Sequence, residues 1–143
     1  LELKNDLSIV VARCEAFLSV LPRFMSVINK ARFIQITQGT ETFTIVIDLK
    51  FMKALVNMLG DENIVSITEN QSAIILISPP EIITTPGVVA YITYLLASNG
   101  VNITQIISCH TDTILIVNRE NALRAYSILE KQILLLRSFD KST

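Results

Sequence analysis

The residues best suited to chemistry lie in one stretch, Thr85-Pro86-Gly87-Val88-Val89-Ala90, followed by an apolar run and by Asn99-Gly100-Val101-Asn102-Ile103. The chemistry they suit is binding rather than bond-making. Backbone N–H groups in the first turn of a helix can hold a carboxylate, assisted by the helix dipole. Gly87 lets a ligand approach the backbone closely. The Asn102 amide both donates and accepts, which suits a ligand carrying both kinds of group. Asn102, at the start of the next strand, is expected beside that helix start in a standard crossover. The plainer alternative is that Thr85-Pro86-Gly87 is only a cap and turn and Asn102 only a strand-edge residue.

Other reactive side chains are few. The single histidine lies in Ser108-Cys109-His110-Thr111-Asp112-Thr113. Neighbouring residues on a strand point to opposite faces, so Cys109 and His110 do not make a nucleophile–base pair. The segment reads as a polar hairpin turn. Two cysteines and one histidine fall short of the roughly four ligands of a structural zinc site, so no metal, cofactor or catalytic residue is expected. Cys14 and Cys109 read as reduced thiols of a cytoplasmic protein. Glu120, Arg124, Glu130 and Lys131 read as the solvated face of a helix.

Composition narrows the partners. Half of the 143 residues are hydrophobic, only 17% are charged, and the formal net charge is −1. There is no basic block to bind nucleic acid and no run near the roughly 20 apolar residues of a membrane span. The beginning, Leu1-Glu2-Leu3-Lys4-Asn5-Asp6, has no signal-peptide pattern.

The elements that must position the candidate site follow from periodicity. Thr84 or Thr85 is expected to cap a helix with Pro86 in its first turn. Val88, Ile92, Leu95 and Leu96 make its apolar face, and Gly100 ends it in the left-handed conformation. Strands are expected at 73–78 before it and 102–108 after it, giving a βαβ crossover. Earlier in the chain, a strand at 7–12 leads to a helix at 15–31, which Pro22 should kink or restart. Strands at 32–37 and 42–48 form a hairpin, with Gly39 available for positive φ. A helix at 49–60 ends at Gly60, and a fourth strand spans 63–68. Glu69-Asn70-Gln71-Ser72 reads as a short hinge.

Shifting the frame by 70 residues brings Thr44-Ile45-Val46-Ile47-Asp48 onto Ile114-Leu115-Ile116-Val117-Asn118, and Met52, Leu55, Val56 and Leu59 onto Ala122, Ala125, Tyr126 and Leu129. The same shift carries 15–31 onto 85–101, and it predicts a strand at Ile133-Leu134-Leu135-Leu136-Arg137-Ser138. Each half then reads β-α-β-β-α-β, so the expected fold is α+β: two ferredoxin-like units in tandem, 1–70 and 71–143, antiparallel sheets with helices on one face. Consecutive Ile, Leu and Val in the strands imply burial on both sheet faces. An end strand of one half completing the sheet of the other stays open as an alternative.

At about residues 72–135 these features resemble the ACT domain family of small-molecule-sensing regulatory modules. The second half is similar to the paired ACT domains at the end of aspartate kinases and to stand-alone archaeal proteins with paired ACT-like domains. The first half has the element order but lacks the Pro-Gly turn and the Gly-x-Asn-x segment. The Cys109-His110 turn departs from the aspartate kinase pattern. The resemblance implies an effector site at Thr85, Pro86, Gly87, Val88, Asn102, Ile103 and Ser108, an amino acid as the small-molecule effector, a site at an interface between ACT-like units, and a homo-oligomer. A ligand-free oligomerisation module is the competing reading. An acylphosphatase-like enzyme would need a phosphate-cradling Gly run, which Arg13-Cys14-Glu15 does not supply.

Overall fold

The computed structural model describes residues 1–141, with side chains for all of these except 82, 83 and 139–141. In chain order the elements are β1 (Glu2–Arg13), α1 (Cys14–Ile28), β2 (Ile34–Gln38), β3 (Thr42–Asp48), α2 (Leu49–Leu59), β4 (Ile64–Ile77), α3 (Val88–Ser98), β5 (Gln105–Cys109), β6 (Asp112–Asn118) and α4 (Arg119–Lys141), with short 3-10 turns at Asp61–Asn63 and Pro80–Thr84. The fold is α+β, with strand order β2-β3-β1-β4-β6-β5. The pairs β1–β3, β2–β3 and β5–β6 are antiparallel.

The chain divides into two compact units. One is Asp6–Gln71; the other joins Leu1–Asn5 to Ser72–Thr143. Asp6–Gln71 has its own core. Val10, Ala12, Phe43, Ile45 and Ile47 from the strands meet Phe17, Val20 and Phe24 of α1 and Met52, Leu55 and Leu59 of α2. Both helices therefore cover the same face. Leu7, Ile9 and Val46, which alternate with those strand residues, are buried as well, as the unbroken apolar runs imply. The second unit has a separate core. Ile74, Leu76, Leu115 and Val117 meet Ile92 and Leu96 of α3 and Ala122, Ala125 and Leu129 of α4.

Several expectations are corrected. Glu69-Asn70-Gln71-Ser72 contains the boundary between the two units but is not a loop: it lies within the single strand β4. The chain direction is adjusted there by Asn70, at φ 60, and in β1 by Asp6, at φ 61. Asn and Asp tolerate this left-handed conformation better than other non-glycine residues. Ile133–Ser138 is not a strand but the continuation of α4. The unit containing it takes in the N-terminal strand segment Leu1–Asn5, so a further strand is not needed. Leucine is also a strong helix former.

Smaller differences are local. Pro22 sits inside α1, which continues through it as one helix. Gly39 is not among the positive-φ glycines, which are Gly60, Gly87 and Gly100. Helix α3 also sits in a different register from the 70-residue frame. Its buried residues Ile92 and Leu96 correspond to Val20 and Phe24, two positions further along, and Tyr94, the frame's partner of Phe24, is exposed.

Candidate functional site

Helix α3 begins differently from its sequence signals. Gly87, not a threonine, is the N-cap, at φ 86 and ψ −2, and no side chain caps the helix. Pro86 lies in the turn before it. Thr85 Oγ1 instead donates to the Glu81 carbonyl at 2.6 Å, and Thr84 Oγ1 donates to the same oxygen at 3.3 Å. The threonines thus close the 3-10 turn and leave the helix start open. The first intrahelical bond runs from Tyr91 N–H to the Gly87 carbonyl at 2.9 Å. The N–H groups of Val88, Val89 and Ala90 precede it and have no acceptor within the helix.

The other end of α3 closes as expected. Gly100 adopts φ 75. Val101 N–H reaches the Leu96 carbonyl at 2.9 Å and Gly100 N–H reaches Ala97 at 3.0 Å. This is the Schellman pairing, and the buried Leu96 and Val101 supply its apolar contact.

A cavity of about 420 Å³ opens at the start of α3, lined by Thr85, Gly87, Val88, Val89, Ser108, His110 and Thr113. Four residues expected at the site, Thr85, Gly87, Val88 and Ser108, are brought together here. Pro86, Asn102 and Ile103 do not line the cavity. The reason for Asn102 is topological. Strand β5 starts at Gln105, not at 102, so Asn102 follows the Gly100 stop at the C-terminal end of α3. An 11-residue helix is about 16 Å long. In a crossover the returning strand brings its last residues, not its first, back to the helix start. That places Ser108 and the β5–β6 turn at the site and leaves Asn102 exposed at the far end.

Three lining residues were not expected at the site. Val89 follows from the actual helix start. His110 holds φ 51 at the tip of the two-residue turn between Cys109 and Asp112, so it keeps the structural role expected of it while also bordering the cavity. Thr113 begins the β6 series Thr113, Leu115, Val117, and the last two of these belong to the core under the helices; by strand alternation Thr113 faces the same way. It is only 3% exposed. The crossover rule, applied to β5, was the signal that identifies these positions.

The same unit has a larger cavity, about 590 Å³, lined largely by apolar side chains that include Leu76, Ile92, Leu95, Leu129 and Ile133. Ser78, Glu130, Gln132 and Arg137 border it as well; of the residues expected at the site it contains only Val88. Among the described residues no cluster of three His, Cys, Asp or Glu is placed to hold a metal ion, and no helix is long and apolar enough to cross a membrane.

An antiparallel sheet with two helices on one face is the ferredoxin-like arrangement, and here a small polar cavity lies at one helix start. Residues 66–131 match the family model of the ACT domain. ACT domains are regulatory rather than catalytic. A sequence search of curated proteins gave no match.

Solved structures extend the likeness in fold across most of the chain. The regulatory subunit of aspartate kinase from Thermus thermophilus superposes with a TM-score of 0.71 at 16% identity, covering 91% of this chain and 93% of that one. Aspartate kinase from Synechocystis gives 0.71 at 18% identity, covering 92% of this chain and 26% of that one. Aspartokinase III from E. coli, in complex with lysine and aspartate, gives 0.58 at 12% identity, covering 86% of this chain and 30% of that one. The chain thus matches under a third of the length of those two enzymes.

Proposed function

We propose that the chain is a small-molecule sensor in which the cavity at the start of α3 binds an amino acid effector. The observation carrying this reading is the convergence of Thr85, Gly87, Val88 and Ser108 on one polar cavity at an uncapped helix start. The ACT match over the same segment supports it, as does the binding of lysine and aspartate by a protein of similar fold. We read the two units as ACT-like units in tandem, with the first, 1–70, degenerate and the second, 71–143, carrying the site; the exchanged segment Leu1–Asn5 completes the second. The module is a cytoplasmic homo-oligomer in which the effector lies where ACT-like units meet and passes its signal to a partner enzyme.

Thermal melts against the standard amino acids test the reading. A ligand present at about one hundred times its dissociation constant adds about 2.7 kcal/mol, a rise of several degrees in Tm. The absence of any shift rules out an amino acid effector.

A second reading, a ligand-free oligomerisation module, is favoured by one observation. Leu134, Leu135 and Leu136 near the end of α4 are each about half exposed, and Leu123 and Tyr94 more so. That reading predicts concentration-dependent association with no effect of any amino acid on the melt.

A further inference from the structure

We propose that the part of α4 beyond Leu129 is a self-association surface. Its occupant is the same segment of a second copy of this chain, lying antiparallel across it about a two-fold axis between Ile133 and Leu134. This rests on the homo-oligomer part of the reading above and not on the effector. Three observations carry it.

The first is the length of α4. Its counterpart α2 has 11 residues and ends at Leu59, which corresponds to Leu129. Helix α4 has 23 residues, so it continues for roughly 18 Å past that point. The fold does not require this length, since Asp6–Gln71 builds the same helical layer without it. A stretch of helix owes most of its stability in water to packing of an apolar face. Among the described residues of this stretch Ile133 packs against the core, while Leu134, Leu135 and Leu136 remain half-exposed.

The second is the groove that this stretch makes with α3, the cavity of about 590 Å³. Four large apolar residues on its border stay open to solvent: Ile77 at 59%, Tyr91 at 44%, Leu134 at 56% and Leu136 at 50%. Single exposed apolar residues are ordinary, but a group of them around one concavity marks a surface for association.

The third is charge, and it selects the occupant. Glu130 and Arg137 are the only charged side chains among the described lining residues. Neither has an ion-pair partner among the described residues. They stand two helical turns apart on one side of α4, so an occupant must bring a cation opposite Glu130 and an anion opposite Arg137. An apolar small molecule covers the leucines and leaves both charges unmatched. A second α4 in parallel alignment sets like charges together. Laid antiparallel, Glu130 of one copy faces Arg137 of the other, and the two-fold axis repeats the pair. The same register brings Ile133 against Leu134 at the centre. Exposed ion pairs of this kind add little affinity but fix register and orientation.

Analytical ultracentrifugation of the intact chain over a range of concentrations tests the proposal. The expected result is a dimer that dissociates on dilution. Leu134→Glu buries an uncompensated charge at the axis and raises the dimer dissociation constant at least about a hundredfold, while circular dichroism stays native. Glu130→Arg alone and Arg137→Glu alone each oppose like charges twice and weaken the dimer about tenfold. The double variant Glu130→Arg with Arg137→Glu restores the parent affinity, which an antiparallel pairing of α4 with itself predicts and a role within one chain does not. Should Leu134→Glu unfold, the charge series carries the test, since both residues are exposed. A dimer indifferent to these variants places the interface elsewhere, overturning this inference and leaving the homo-oligomer standing. A dimer weakened by both single charge variants and not restored by the double one overturns the antiparallel register. A chain that stays monomeric at every concentration overturns both the surface and the homo-oligomer, whatever the amino acid melts show.

Discussion

Ser72 Oγ donates a hydrogen bond of 2.7 Å to Asn5 Oδ1, joining residues 67 apart in sequence. Ser72 is fully buried and Asn5 half-buried, and the bond ties the N-terminal segment to β4. Leu1 and Leu3 of the same segment pack against the core under α3 and α4. Asn5→Ala should therefore lower the unfolding free energy by about 1–2 kcal/mol. Deletion of residues 1–5 should cost more, because it also removes buried apolar contacts and leaves β4 unpaired on one side. Urea denaturation of the three proteins checks the order.

Asp48 ends β3 and is the N-cap residue of α2, yet its carboxylate does not cap that helix. It accepts the Arg32 N–H at 2.8 Å and the Phe33 N–H at 3.1 Å, and the Arg32 guanidinium lies 3.5 Å away. The exposed guanidinium adds little; the two backbone donors, one of them buried, matter more. Asp48→Ala should cost about 3 kcal/mol by orphaning both. Asp48→Asn, which keeps one acceptor oxygen, should cost less. Chemical denaturation midpoints distinguish the two.

Ser8 presents the opposite case. Its Oγ is buried with no hydrogen-bond partner among the described residues, and it sits on β1 opposite Ile47. Ser8→Ala removes that unsatisfied group at almost no change in volume. The variant should be as stable as the parent or up to about 1–2 kcal/mol more stable, read as a rise in Tm.

Asn70 holds φ 60 inside β4 and is exposed, so its backbone conformation, and not its packing, decides which side chains fit. Asn70→Val should destabilise by about 1–2 kcal/mol, since a β-branched residue is strained there. Asn70→Gly should be close to neutral. A reversed order in thermal denaturation would contradict the left-handed backbone at this position.

Asn102 and Thr113 separate two views of the site. Asn102→Ala should leave any effector-induced Tm shift unchanged, because Asn102 stands at the far end of α3. Thr113→Val should reduce the shift. Melts of both variants with the same ligand provide the comparison.

Much of the fold was written in local pattern. The β-branched run Thr44–Asp48, the i, i+3, i+4, i+7 apolar spacing of Met52, Leu55, Val56 and Leu59, and the stops at Gly60 and Gly100 each depend on residues close in sequence, and each forms where its pattern predicts. The start of α3 was legible as a candidate site from Thr85-Pro86-Gly87 and the apolar helix after it, but the expected threonine cap was not formed, because Thr84 and Thr85 bond the Glu81 carbonyl instead. Three outcomes depended instead on tertiary context. Ile133–Ser138 has strand-like composition but extends α4, because its unit already takes in Leu1–Asn5. Asn70 and Gln71 look like a hinge but continue a strand, because partners on neighbouring strands hold the backbone extended around one left-handed residue. Asn102 carries the right chemistry at the wrong end of a helix, while His110 and Thr113 reach the cavity because β5 must run the length of α3 before the chain turns into β6. Periodicity and capping set which segments become helices and strands. Strand pairing and the direction of the crossover set which side chains meet, since both are relations between residues far apart in the chain.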